Sequence, residues 1–116
     1  MSRISLETAL SSPLFFYLEV IRMLERDFQG KLIKELRERF PDSIIFKNDS
    51  TQGLPDLTIL NGTHWAFLEC KKGLKEKHQP NQDYYISKAE GMSFGRFICP
   101  ENKEEVLNEL QQAFEL

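Results

Sequence analysis

The 116-residue chain holds only two cysteines, Cys70 and Cys99. Each sits inside an apolar run, without the close spacing of a zinc knuckle or a redox pair, so a disulfide scaffold is excluded and both are expected to be reduced core thiols rather than nucleophiles. Its two histidines, His64 and His78, have no metal-ligand partners at useful spacing, which excludes a histidine-built zinc site. Long hydrophobic runs are missing as well. The apolar stretch 14–20 is too short, and too soon followed by charge, to span a bilayer or to act as a signal, so a cytoplasmic protein with no membrane partner is expected. There is also no basic excess: 15 Lys and Arg stand against 18 Asp and Glu, a net charge of -3. Any contact with nucleic acid must then come from a local patch rather than from the field of the whole domain.

What is present is an ordinary globular composition, 41% hydrophobic and 28% charged. The length suits one domain over residues 1–116. Ser11-Ser12-Pro13 is a helix-start signal, a serine cap with proline at the first helical position. From there Leu24, Phe28, Leu32, Leu36 and Phe40 recur at helical spacing until Pro41-Asp42, with Gly30 as a candidate break between two helices. Residues 1–24 form a helical extension whose clustered Phe15, Phe16 and Tyr17 suit a subunit interface as well as a core. Ile44-Ile45-Phe46 predicts a first strand and residues 48–53 a loop. Residues 57–60 and 63–70 flank Asn61-Gly62, a strong hairpin signal, and should be antiparallel strands. A basic, turn-like stretch 71–80 leads to a helix over 81–92, a strand over 94–99 and a final amphipathic helix over 101–114. The order is α, β, β, β, α, β, α: an α/β fold with a small mixed sheet and helices on both faces.

The hairpin brings chemistry-bearing residues together. A two-residue turn at Asn61-Gly62 sets Leu60 opposite Thr63 and Asp56 opposite Phe67, and alternation then puts Phe67, Glu69 and Lys71 on the face of Asp56. Asp56 and Glu69 become diagonal neighbours, with Cα atoms roughly 7 Å apart; a four-residue loop would keep the parity and set them directly opposite. Two carboxylates and an ammonium at one sheet edge suit magnesium-assisted phosphodiester hydrolysis, with the Cys70 carbonyl as a further oxygen ligand. In that scheme Lys71 orients the attacking water and stabilises charge on the phosphate. The same Glu-x-Lys spacing also fits a plain cross-strand salt bridge. Lys72, Lys75 and Lys77, with Lys47 before the 48–53 loop, are candidates for a phosphate-binding groove, and Glu76, which interrupts the run, is expected to be a bystander.

The string Gly53-Leu54-Pro55-Asp56, followed by Glu69-Cys70-Lys71 on a hairpin, resembles the PD-(D/E)XK nuclease motif. The likeness extends to the VRR-NUC domains and phage Holliday-junction-resolvase-like endonucleases, in which a helical glutamate precedes the strands and a glutamine follows Glu-x-Lys. It covers residues 25–110. The resemblance implies a restriction-endonuclease-like core (αβββαβ) with extra N- and C-terminal helices, and a Mg2+- or Mn2+-dependent endonuclease acting on DNA, branched DNA such as Holliday junctions included. It implies a phage-type enzyme working as a homodimer in the cytoplasm of a bacterial host. Asp56, Glu69 and Lys71 would form the catalytic core. Glu25, in Glu25-Arg26-Asp27-Phe28-Gln29, matches the helical glutamate and would join Asp56, Glu69 and the Cys70 carbonyl around the metal; Glu19, Glu35 and Glu38 compete for that place. Gln82 matches the glutamine, with Gln79 as runner-up. The alternative is a catalytically inactive nuclease-fold module that binds DNA or a protein.

Overall fold

The computed structural model describes residues 12–49 and 53–115. The expected extension over 1–24 therefore lies outside the described residues for its first eleven positions, as does the tip of the 48–53 loop. Helix α1 (Pro13–Arg39) starts as the sequence predicts, with the Ser12 hydroxyl accepting from the Phe15 N–H at 3.0 Å. It runs unbroken through Gly30. A helical glycine costs only about 1 kcal/mol, and burial of Leu32, Ile33 and Leu36 immediately beyond it outweighs that. Strand β1 (Ile44–Lys47), the hairpin β2 (Leu57–Asn61) and β3 (His64–Cys70), helix α2 (Pro80–Met92), strand β4 (Gly95–Ile98) and helix α3 (Lys103–Glu115) complete the order.

Among the described residues the fold is α/β, with three helices and one mixed four-stranded sheet ordered β1-β2-β3-β4. The first two pairings are antiparallel and the β3–β4 pairing is parallel. The hairpin register departs from the expectation by two residues. Asn61 pairs His64 and Leu60 pairs Trp65, so the turn is Gly62-Thr63 rather than Asn61-Gly62. Gly62 alone supplies the positive φ, +62°, at the first central position of the turn, where type II′ geometry favours glycine.

Alternation sorts the sheet's two faces. Leu57, Ile59, Ala66, Leu68, Cys70 and Ile98 pack in one cluster with Leu32 and Leu36 of α1, Phe40 at its C-cap, and Val106, Leu107 and Leu110 of α3. The opposite face is covered by α2 over β3 and β4. Gly95 permits that approach, since a Cβ there would fall 2.4 Å from the Ile86 carbonyl oxygen. Over β1 and β2 this face stays open, and Ile44, Phe46 and Leu60 are exposed. The expectation of helices on both faces thus holds for half of the sheet. Among the described residues no helix is long and apolar enough to cross a membrane.

Candidate active site at the end of the central hairpin

The shifted register places Asp56 directly opposite Glu69, one step beyond the last β2–β3 pair, Leu57 with Leu68. Asn48 continues the β1 ladder to the same point by donating its N–H to the Asp56 carbonyl at 2.9 Å. One carboxylate oxygen of Asp56, Oδ2, accepts the Cys70 N–H at 2.9 Å, and the Asp56 carboxylate also accepts a hydrogen bond from the Glu69 carboxyl. Glu69 is only 3% exposed. Burial, then the hydrogen bond to Asp56 and that residue's charge, push the Glu69 pKa up to about 9, so at neutral pH it holds the shared proton. Burial chiefly, and the surrounding carboxylates, also push the Cys70 thiol up, which keeps it neutral and poorly nucleophilic.

Lys71 is buried to 6% exposure on the face of Glu69, and its N–H extends the parallel ladder to the Ile98 carbonyl at 2.8 Å. Its ammonium is held between the Gln82 Oε1 at 2.6 Å and the Lys77 carbonyl at 3.4 Å. Gln82 Oε1 also accepts the Gln79 N–H at 3.0 Å, closing the first turn of α2. The glutamine named from the motif is thus both a helix cap and the anchor of Lys71. Gln79 serves as the α2 N-cap.

Glu25 is the α1 carboxylate that lines a cleft of about 140 Å³ together with Asp56 and Cys70. Glu19 and Glu35 are taken up by Arg22 and Lys103, and Glu38 is exposed two turns or more away along the helix. Burial, then a hydrogen bond and charge from Glu76, raise the Glu25 pKa to about 7. Glu76 is therefore no bystander. Its Oε2 accepts the Lys72 N–H at 2.5 Å and its carboxyl accepts from Glu25. Burial opposes its ionisation, but those two hydrogen bonds and the charges of Lys71 and Lys72 hold it below its ordinary value. Nothing in the sequence signals this, because only the fold of the 71–79 loop turns Glu76 back toward α1.

The predicted lysines divide. Lys72 stands 5.5 Å from the Tyr17 ring, and with Lys75 and Lys77 it lines an open groove between α1 and the 71–79 loop. Lys47 pairs with Leu57, so it projects from the face opposite Asp56 and Glu69 and is not brought to the carboxylates. Two side chains that the motif did not name, Arg22 and Arg26, border the carboxylate cleft beside Gln29. Once Glu25 is placed, the helical spacing 22, 25, 26, 29 identifies them. Among the described residues no group of three or more His, Cys, Asp or Glu side chains is assembled around one point as a metal site.

No protein-family profile, no curated protein and no solved structure matches the chain.

Proposed function

We propose that the chain is a metal-dependent endonuclease with a restriction-endonuclease-like core, hydrolysing DNA phosphodiester bonds at the Asp56–Glu69–Lys71 cluster. The observation that carries this reading is the direct opposition of Asp56 and Glu69 beside a buried, hydrogen-bonded Lys71. A structural salt bridge would not need a second buried carboxyl that must keep its proton. A buried Glu69 beside a half-buried Asp56 is a pair matched to a cation, and their hard oxygen donors, with the Cys70 carbonyl and the nearby Glu25, suit Mg2+ or Mn2+. When bound, such an ion supplies Lewis-acid polarisation of a phosphate oxygen and a more acidic water.

The chain's own groups do the rest. Asp56 and Glu69 would hold the cation as carboxylates, the form that burial withholds from Glu69 at neutral pH while the site carries no metal. Gln82 and the Lys77 carbonyl fix two of the three Lys71 donors, leaving the third for the phosphate or its attacking water. Placed this way, Lys71 stabilises charge as it develops, so its removal depresses turnover more than binding. Exposed Phe16 and Met23, 69% and 63% accessible on α1, provide the apolar surface for a homodimer, which a two-fold branched DNA substrate would suit.

The test is incubation with plasmid and four-way-junction DNA, with and without Mg2+. Glu69→Ala is expected to reduce cleavage by about a thousandfold, about 4 kcal/mol of barrier, and to weaken Mg2+ binding in calorimetry. Glu38→Ala, on the exposed side of α1, should cleave normally. Absence of both cleavage and metal binding in the wild-type protein would sink the nuclease and leave the non-catalytic binding module.

A further inference from the structure

We infer that Arg22 and Arg26 of α1 grip the phosphodiester backbone at the mouth of the carboxylate cleft, so that nucleic acid crosses α1 instead of following the lysine loop alone. The inference rests on the proposed nucleic-acid substrate and extends it to residues that the motif does not name. Both arginines border the same cleft as Glu25, Gln29, Asp56 and Cys70. Both side chains are exposed. Arg26 has no ion-pair partner among the described residues, while the Arg22 pair, to Glu19 at 3.1 Å, is solvent-exposed and easily exchanged for a phosphate.

Charge makes the placement meaningful. A chain of net charge -3 has no general hold on a polyanion, and the cleft itself is lined by the carboxyl groups of Glu25 and Asp56, with Glu76 hydrogen-bonded to Glu25 behind them. A phosphate reaches such a centre only if cations flank it. Lys72, Lys75 and Lys77 supply them from the loop, and Arg22 and Arg26 supply them from the helix. The guanidinium fork matches two phosphate oxygens at once, which a lysine does not do, so the helix wall positions the phosphate where the loop contributes mainly charge.

The experiment measures binding of a short fluorescent DNA duplex without Mg2+, across a salt series, for the wild type, Arg22→Ala, Arg26→Ala, the double variant and Arg37→Ala from the distant end of α1. The single variants are expected to bind about tenfold more weakly and to lower the salt slope by about 0.9 each, while Arg37→Ala matches the wild type. Melting temperature and calorimetric Mg2+ affinity should not fall. Equal affinity and slope in the double variant and Arg37→Ala would overturn the inference, as would a wild type that binds no DNA, or a loss of binding that tracks loss of folding. The nuclease proposal fails separately: a wild type that binds through these arginines yet never cleaves removes the nuclease and leaves the clamp. A wild type whose cleavage and binding ignore the double substitution does the reverse.

Discussion

Residues 28–39 and residues 13–27 belong to one helix, yet they meet opposite surroundings. In the first group Leu32, Ile33 and Leu36 are buried against the sheet and α3; in the second no residue is fully buried, and Leu14, Phe16, Tyr17, Leu18, Met23 and Leu24 are exposed. The site lies at the border. Glu25 and Gln29 reach it where the helix leaves the core, with Arg22 and Arg26 just outside. A helix anchored at one end can present charged groups to a cleft at its middle without the desolvation that a wholly packed helix would impose.

The packed half of α1 depends most on Leu36, which is completely buried. Leu36→Ala is expected to cost about 2–5 kcal/mol in denaturant unfolding, since it leaves a cavity between α1 and the sheet. A loss below about 1 kcal/mol would mean that α1 is held elsewhere.

A smaller effect comes from the border itself. Glu25 and Glu69 bind protons more tightly folded than unfolded, with pKa values raised from 4.5 to about 7 and about 9. Above the unfolded value the unfolded chain has lost protons that the folded protein keeps, so ionising conditions favour unfolding. Stability of the metal-free protein should fall as pH climbs from about 5 to about 9, through both groups up to about 7 and through Glu69 alone above it. A drop in Tm of about 4 °C or more across that range is expected, with a flatter profile in Glu69→Gln. Glu76, held below its ordinary value, acts in the opposite sense and only at more acidic pH. Added Mg2+ should recover the loss at high pH by taking the place of the proton, and a profile that rises with pH would contradict the shared-proton pair.

The smallest effect belongs to the projecting half. Phe16→Ser is expected to change monomer stability by no more than about 0.5 kcal/mol, because the side chain is largely exposed. Sedimentation should instead show a shift toward monomer. A large melting change with unaltered mass would place Phe16 in an intramolecular core.

Much of this was legible beforehand. The helix start at Ser12-Pro13, the four strands, the α2 start near Pro80 and the closing helix follow from caps, alternation and apolar spacing. Asp56, Glu69 and Lys71 were already on one face by parity, which survives a register shift of two but not of one. What escaped was the shift itself. Asn61-Gly62 promised a turn on those two residues, while the structure uses Gly62-Thr63, with Leu57 paired to Leu68 and Ile59 to Ala66. Gly30 likewise looked like a break, and tertiary burial overrode its local preference.

The sequence by itself determined the element order and the three residues at the hairpin end, because periodicities of 2 and 3.6 and the parity of pairing are properties of the local chain. Only the tertiary structure decided that Asp56 faces Glu69 directly, that Gln82 holds Lys71, that Glu76 joins Glu25, and that Lys47 turns away. Those contacts join segments far apart in sequence. Their geometry depends on how the whole core packs, and no local pattern carries it.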